Sequence, residues 1–382
     1  MPKLPIRPTE VRAKFVMGED EPCWCTSGRR WADCHKDREK EKPENFYQGM
    51  AKLRREYERG YCSHPQAPDA CATTKIIRAH TLQRNGTLNR IAKDGHVYSA
   101  KTMAHGLATT NGEFVPQREG LKSASTFLGF CGKHDTEMFK PIETGLLPID
   151  AKSAFLLSFR AAAYELFEKR AGLRGLKNLK PDAGKGIMEQ ERLVNALLPQ
   201  IVALELPVAD FTAWKEKLDA AFLAGDYSAF SMFAVEFEGV LPVASTCAVQ
   251  PGFGIGGVPV QDLSEEHLAK IAYSITMRGD HSVFVLCWSK DEPAAQKFAD
   301  LFMAVPPEHM ATAAMLVALF FSENTFFSPE WWEGLTKDER AWIIEVLAVG
   351  IPSRMRLTMK EALSPDTARV RLEFAVRNIL QT

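Results

Sequence analysis

The chain has 382 residues, and its charges nearly cancel, with 47 Lys and Arg against 48 Asp and Glu. Together with 46% hydrophobic residues, this is typical of a soluble globular protein of about two or three domains, and it excludes a disordered chain, a collagen and a coiled coil. The longest apolar stretch, residues 310–321, is about half as long as a bilayer crossing requires, and the N-terminus lacks the apolar core of a secretory signal. We therefore predict a cytoplasmic protein with no membrane contact.

Cysteine and histidine are concentrated near the N-terminus. Six of the eight cysteines and six of the nine histidines precede residue 135. A cytosolic protein keeps its thiols reduced, so such clusters indicate a metal more often than a disulfide. Residues 1–150 carry 24 basic and 19 acidic residues, or +5, and the remainder carries 23 and 29, or −6. A basic, metal-rich front half favours a polyanionic partner such as DNA, although this charge also fits an ordinary surface.

The predicted elements of the first part of the chain are short. Residues 1–45 have too few aliphatic side chains to form an apolar core. Apolar residues at helical spacing predict an amphipathic helix over 46–59. Strand-like runs at 75–79 and 96–100, followed by a helical start near Cys131, predict a ββα unit.

The rest of the chain is predicted to alternate between helices and strands. A helix over 151–170 precedes a basic, glycine-containing linker over 172–186. Further helices are predicted over 187–204, 209–224, 264–277, 293–304 and 308–321, and strands over 240–249 and 282–288.

The first metal motif is the segment CWCTSGRRWADCH, which contains Cys23, Cys25, Cys34 and His35. Four such ligands in a short loop suit a closed tetrahedral Zn²⁺ site, whose binding would supply the folding free energy that this segment lacks. The stretch resembles the SEC-C motif, a small zinc-binding module that occurs in many unrelated proteins. The resemblance implies docking to protein or nucleic acid rather than catalysis. Arg29, Arg30 and Trp31 would form the contact surface, or they form only a solvated turn.

The second motif combines Cys62 and Cys71 with Cys131 and His134. A Cys-x-x-His pair that opens a helix can complete a second structural zinc site with the two earlier cysteines. Such a site would hold both ends of the ββα unit together.

His80 ends the basic strand-like run KIIRAH, and Asp135 follows the second Cys-x-x-His pair. A histidine that deprotonates water and a carboxylate that holds Mg²⁺ or Mn²⁺ are the parts needed for phosphodiester hydrolysis. Phosphate contacts would come from basic neighbours, namely Lys75, Arg78, Arg84 and Arg90.

Residues 60–143 thus resemble the HNH, or ββα-metal, endonucleases of the treble-clef type. The resemblance implies that His80 is the general base and that Asp135, or alternatively His134, binds the catalytic metal. The middle residue of the motif, which orients the base, is assigned to Asn89, with Asn85 and Asn111 as alternatives. The chain departs from the family pattern at Ala79, where members often carry an acidic residue or histidine, and in the nine-residue spacing of the first cysteine pair.

The predicted fold class is α+β and multidomain. Residues 1–45 would form a SEC-C-like zinc module, 46–143 an HNH-like treble-clef domain, 144–186 a helix and linker, and 187–382 a mixed α/β domain of unknown role. The leading hypothesis is a metal-dependent DNA endonuclease, for which the resemblance suggests antiphage defence. A zinc-dependent adaptor that binds nucleic acid or protein without cutting, and a ligand sensor formed by the C-terminal region, are the alternatives.

Overall fold

A computed structural model describes residues 10–71, 74–101, 115–143, 147–349 and 357–381. The fold is mixed α+β, as predicted. The chain forms two compact units, one of Met1–Gly60 with Leu166–Thr212 and one of Tyr61–Glu165 with Ala213–Thr382. The four segments inferred from the sequence divide the chain differently, and their boundaries remain predictions.

The first unit is mostly helical. Its first helix, α1 (Phe46–Tyr57), begins at a capping box in which the Asn45 side chain accepts a hydrogen bond from the Gln48 N–H. The unit also contains parts of two long helices, α4 (Ala151–Asn178) and α5 (Ile187–Ala224), which continue into the second unit. A small apolar cluster combines three metal-site cysteines with neighbouring side chains: Val11, Cys23, Trp24, Cys25, Cys34 and Leu198. Residues 1–45 therefore contribute only a few side chains to an apolar core, as their composition predicts.

The second unit contains a two-stranded ββα unit. Strand β1 (Ile76–His80) pairs antiparallel with β4 (Thr126–Cys131), and helix α3 (Gly132–Glu143) follows β4 directly. A ββα order is thus present, but its second strand is not the predicted run 96–100. That run forms β2 (His96–Ser99), which belongs to a different sheet because its pairing partners lie elsewhere in the chain.

The larger sheet of the second unit has eight strands, and all of its ladders are antiparallel. The strands lie in the order β10-β5-β8-β7-β6-β9-β2-β3. Their bounds are β3 Gln117–Gly120, β5 Phe230–Phe237, β6 Val243–Val249, β7 Ile271–Arg278, β8 His281–Ser289, β9 Thr325–Phe327 and β10 Val376–Gln381.

The main apolar core combines this sheet with several helices, above all α6 (Pro293–Met303) and α7 (Pro307–Phe321). Aromatic side chains from both layers meet there, as in the Phe284 ring that stacks 4.5 Å from Phe302. The remaining helices are short: α2 Asn89–Ile91, α8 Pro329–Gly334, α9 Lys337–Leu347 and α10 Met359–Ala362.

Polar contacts attach the segment between β1 and β2 to the large sheet. The Thr87 hydroxyl lies 2.6 Å from that of Thr276 on β7, and the Asn324 amide donates to Thr81 at 2.9 Å. All four side chains are buried, so each hydrogen bond satisfies groups that would otherwise be left unpaired. These contacts fix the residues that directly follow His80.

Several predicted elements match the structure and others do not. The strands near 240–249 and 282–288 and the helices near 46–59, 293–304 and 308–321 are confirmed. The predicted helix 264–277 is wrong, because its β-branched second half forms β7 between β6 and β8. The predicted linker 172–186 is wrong in its first part, since α4 continues to Asn178, and the two helices over 187–224 are one.

Helix α5 has a membrane-like composition. It is 38 residues long, with a mean hydropathy of 1.4 over its most apolar window, so by length and composition it could cross a membrane. The core helix of a soluble protein passes the same test when it is mostly buried, but only 6% of this window is buried. One such helix is weak evidence for a membrane span, and the cytoplasmic location remains a prediction.

Candidate metal centres and active site

The first metal motif folds into one cluster. The ligand atoms of Cys23, Cys25, Cys34 and His35 lie within 4.8 Å of one another, and all four residues are buried. The His35 Nδ1 is 3.2 Å from the sulfurs of Cys23 and Cys34, and the sulfurs of Cys25 and Cys34 are 3.6 Å apart. Ligands around tetrahedral Zn²⁺ are separated by roughly 3.5–3.8 Å, so this set fits the ion.

A tight turn produces this cluster. Thr26 and Gly28 both have positive φ, at 59° and 78°, which reverses the chain directly after Cys25. The backbone then returns, with the Cys23 N–H donating to the Arg29 carbonyl at 2.9 Å. The turn at Gly28 is therefore the feature that brings the two ligand pairs together. Arg29 and Arg30 are exposed, and Arg30 forms ion pairs with Asp20 and Asp33.

The second motif forms a similar cluster. Cys62, Cys71, Cys131 and His134 have ligand atoms within 4.8 Å of one another, with the His134 Nδ1 3.3–3.5 Å from the three sulfurs. Cys62 and Cys71 precede β1, Cys131 ends β4, and His134 lies in the first turn of α3. This set also fits Zn²⁺, which would join the ends of the ββα unit.

The sulfurs of the second set differ in acidity. Burial raises the pKa of Cys71 to about 12. Burial also raises the pKa of Cys131, but the backbone N–H of His134 and the other cysteines lower it by more. Cys131 therefore becomes a thiolate more readily than Cys71, and a bound metal ion would favour the thiolate form of its cysteine ligands.

Two residues that the sequence did not single out support this second cluster. The His64 ring stacks on that of His134, with centroids 3.7 Å apart and planes at 8°. The buried Lys215 donates to the Ser63 carbonyl at 2.9 Å, next to Cys62. His64 and Lys215 therefore hold the ligands in place without belonging to the metal set.

His80 lies at the end of β1, where it pairs with Thr126 of β4. Its Nε2 is 3.2 Å from the Leu121 carbonyl oxygen. Because a carbonyl only accepts, Nε2 must carry the hydrogen, and in the neutral ring Nδ1 keeps a free electron pair. Burial lowers the pKa of His80, so the ring is neutral near pH 7.

Asp135 lies in the first turn of α3, next to His134. Its Oδ1 is buried and has no hydrogen-bond partner among the described residues. Burial raises the pKa of this carboxyl. A buried carboxylate oxygen without a partner is unfavourable unless a cation or an unseen donor compensates it, so the atom fits a metal ligand.

A charged pair links the surroundings of His80 and Asp135. The buried Arg160 of α4 donates to Glu143 at 2.6 Å, and its guanidinium lies 3.9 Å from the centre of the Phe139 ring. Burial has the largest effect on the pKa values of His80 and Asp135. The Arg160 charge lowers both pKa values, and the Glu143 charge raises both. His80 and Asp135 therefore experience the charges of the same two residues.

The predicted phosphate-binding residues occupy different environments. Lys75 and Arg78 are exposed on or beside β1, and Arg84 is exposed and lowers the pKa of His80 through its charge. Arg90 forms an ion pair with Asp280, which offsets its charge.

The His80 ring has a backbone partner that the sequence did not indicate. Its Nε2–H donates to the Leu121 carbonyl, whereas Asn89 is exposed at the start of α2. Asn85 accepts a hydrogen bond from Arg84, and Asn111 lies outside the described residues. The role assigned to Asn89 therefore remains a prediction without a contact to the base in the described parts of the chain.

No protein-family model, curated protein or solved structure matched the chain.

Proposed function

We propose that this chain is a metal-dependent endonuclease that hydrolyses DNA at a site formed by His80 and Asp135. The observation that carries the proposal is the β1-β4-α3 unit, which has His80 at one strand end and Asp135 in the first helical turn, next to a Cys₃His cluster. This is the arrangement that the resemblance to HNH endonucleases implies. The outward-facing Lys75, Arg78 and Arg84 supply positive charge for the phosphates.

Each side chain would have a separate chemical role. His80, held by the Leu121 carbonyl, would accept a proton from the attacking water at Nδ1. Asp135 would hold Mg²⁺ or Mn²⁺, which stabilises the negative charge that develops on the leaving oxygen. A single carboxylate is compatible with Mg²⁺, which commonly binds through one or two carboxylates, with water and substrate phosphates as its other ligands.

The decisive experiment is cleavage of DNA with Mg²⁺ or Mn²⁺ by the wild type and by His80→Ala. We expect the substitution to reduce the rate by about 100-fold or more, because general-base catalysis contributes 10² to 10⁴. His96→Ala is the matched control, since His96 is an exposed histidine on β2. Equal cleavage by wild type and His80→Ala would refute the proposal.

The metal role of Asp135 has its own test. Asp135→Asn keeps the size of the side chain but removes the charge, so we expect it to raise the Mg²⁺ concentration needed for half-maximal cleavage. Glu137→Gln is the control, because Glu137 is an exposed carboxylate on the same helix. An unchanged Mg²⁺ requirement in Asp135→Asn would exclude Asp135 as the ligand.

A second candidate function is a zinc-dependent adaptor that binds nucleic acid without cutting it. One observation favours it. Within the described ranges, the groups of three or more potential metal ligands are the two Cys₃His sets, and Asp135 belongs to neither. The adaptor predicts salt-sensitive DNA binding that is the same in His80→Ala, with no cleavage under any divalent ion.

A further inference from the structure

We infer that Asp182 is the positioning residue of the first zinc set and that it fixes the orientation of His35. Asp182 lies in the turn 181–184 between α4 and α5, far along the chain from the ligands. It is 4% exposed, and its Oδ2 lies 2.9 Å from the Nε2 of His35. A buried carboxylate in contact with a metal-ligating histidine requires an explanation.

The two nitrogens of His35 face different partners. Nδ1 lies 3.2 Å from two cysteine sulfurs, so it faces the metal set, and Nε2 lies 2.9 Å from Asp182 Oδ2. A histidine that binds a metal through Nδ1 carries its hydrogen on Nε2, where a carboxylate can accept it. Such a partner selects the tautomer, fixes the ring plane and raises the basicity of the ligand.

Arg38 makes the burial of Asp182 favourable. Its Nε lies 3.2 Å from the same Oδ2, and the Arg38 side chain is almost as buried as that of Asp182. The charge of Arg38 offsets that of the carboxylate, which would otherwise be costly to bury beside three cysteines. Arg38 follows the last ligand by three residues, so the zinc motif and the residues directly after it supply the two side chains that face Asp182.

The turn that carries Asp182 is held against the zinc motif by its backbone. The Gly184 N–H donates to the Arg38 carbonyl at 2.9 Å. Gly184 has a φ of +71°, and a Cβ at this position would lie 2.8 Å from the Glu41 carbonyl oxygen. Only glycine allows this approach, so the position of Asp182 is set by the backbone and does not depend on zinc alone.

The consequence is that zinc affinity at the N-terminal motif depends on a residue outside the motif. In the full-length protein we expect Asp182→Ala to weaken zinc binding at the first set by about 10- to 100-fold, as is usual when an outer partner of a metal ligand is removed. Asp182→Asn retains an acceptor oxygen for the His35 Nε2–H, so it should weaken zinc binding less than Asp182→Ala does. The matched control is Asp33→Ala, at an exposed aspartate beside Cys34, which should leave zinc affinity unchanged.

The measurement is competition between the protein and a zinc chelator, followed by thiol alkylation and peptide mass spectrometry. Cys23, Cys25 and Cys34 report the first set, and the three cysteines of the second set serve as the internal reference in the same sample. If Asp182→Ala loses protection from alkylation only at the cysteines of the first set, the inference is supported. If the protection of these cysteines is unchanged, the inference is overturned.

A double substitution separates positioning from a general structural role. In a His35→Cys background the fourth ligand is a thiolate, which has no second nitrogen to orient, so replacing Asp182 with alanine or asparagine should no longer weaken zinc binding. An equal loss in both backgrounds would show that Asp182 supports only the fold, and it would overturn the inference. If Asp182→Ala does not fold, Asp182→Asn is used to compare zinc binding in the two backgrounds.

Discussion

At the scale of single residues, one hydrogen bond defines the chemistry of His80. The Leu121 carbonyl can only accept, so it assigns the hydrogen to Nε2 and leaves Nδ1 as the basic atom. Burial keeps the ring neutral by lowering its pKa, and the Arg84 charge acts in the same direction. Both effects suit the proposed role of His80 as a general base at neutral pH.

The pH dependence of cleavage follows from this shift. A general base is active when deprotonated, so the rate should fall as the pH decreases through the lowered pKa of His80, below about 6.5. Arg84→Gln removes a charge that lowers this pKa, so the acid limb should move to higher pH. The measurement is the pH-rate profile of both proteins.

Arg78→Gln supplies the control for that profile. Arg78 is also a positively charged residue and lies on β1, but the charges that act most on the pKa of His80 are those of Arg84, Arg160 and Glu143. We expect this variant to weaken DNA binding with no movement of the acid limb. An identical limb in wild type and Arg84→Gln would contradict the assignment of His80 as the titrating base.

At the scale of elements, the second Cys₃His set joins the segment before β1 to the junction of β4 and α3. Two backbone hydrogen bonds to β4 flank Cys62, from Tyr61 to Leu128 and from Ser63 to Gly129, and Cys71 ends a short 3₁₀ helix. The β1-β4 ladder has only two strands, which is marginal for independent stability. A bound zinc ion would contribute on the order of 10 kcal/mol to such a unit.

Zinc content tests this interpretation directly. We expect the wild type to bind two zinc ions and Cys131→Ser to bind one, because the serine hydroxyl is a poor zinc ligand. Cys287→Ser is the control, since Cys287 is a buried cysteine of β8 outside both sets, and it should retain two. The measurement is zinc per chain by elemental mass spectrometry, and two ions in Cys131→Ser would contradict the second site.

At the scale of the whole molecule, the candidate nuclease segment and the C-terminal region contribute strands to one sheet. Strands β2 and β3 come from the predicted nuclease segment, yet they complete the sheet built by residues 230–381. Strand β9 pairs with β6 on one side and with β2 on the other. The C-terminal region therefore depends on residues before 143.

A truncation at the predicted boundary should be destabilising. A fragment of residues 145–382 lacks β2 and β3, so the edge of β9 with Phe326 and Phe327 becomes exposed to pairing with other chains. We expect this fragment to aggregate and to have a lower Tm than a fragment of residues 61–382, which keeps all eight strands. Thermal unfolding with light scattering would measure both, and equal Tm values would contradict this prediction.

The sequence by itself determined the two metal sets, because the ligands are soft residues at short spacings and a turn at Gly28 is enough to bring the first four together. It also determined the strongly periodic helices and the apolar strands. Only the tertiary structure decided which strands pair, because ladders such as β1 with β4 join residues far apart in the chain. The energy of such a pairing cannot be inferred from the local sequence. The same holds for the contacts of Leu121 and Asp182, since a backbone carbonyl and one aspartate among many carry no sequence signal until the fold places them beside a histidine.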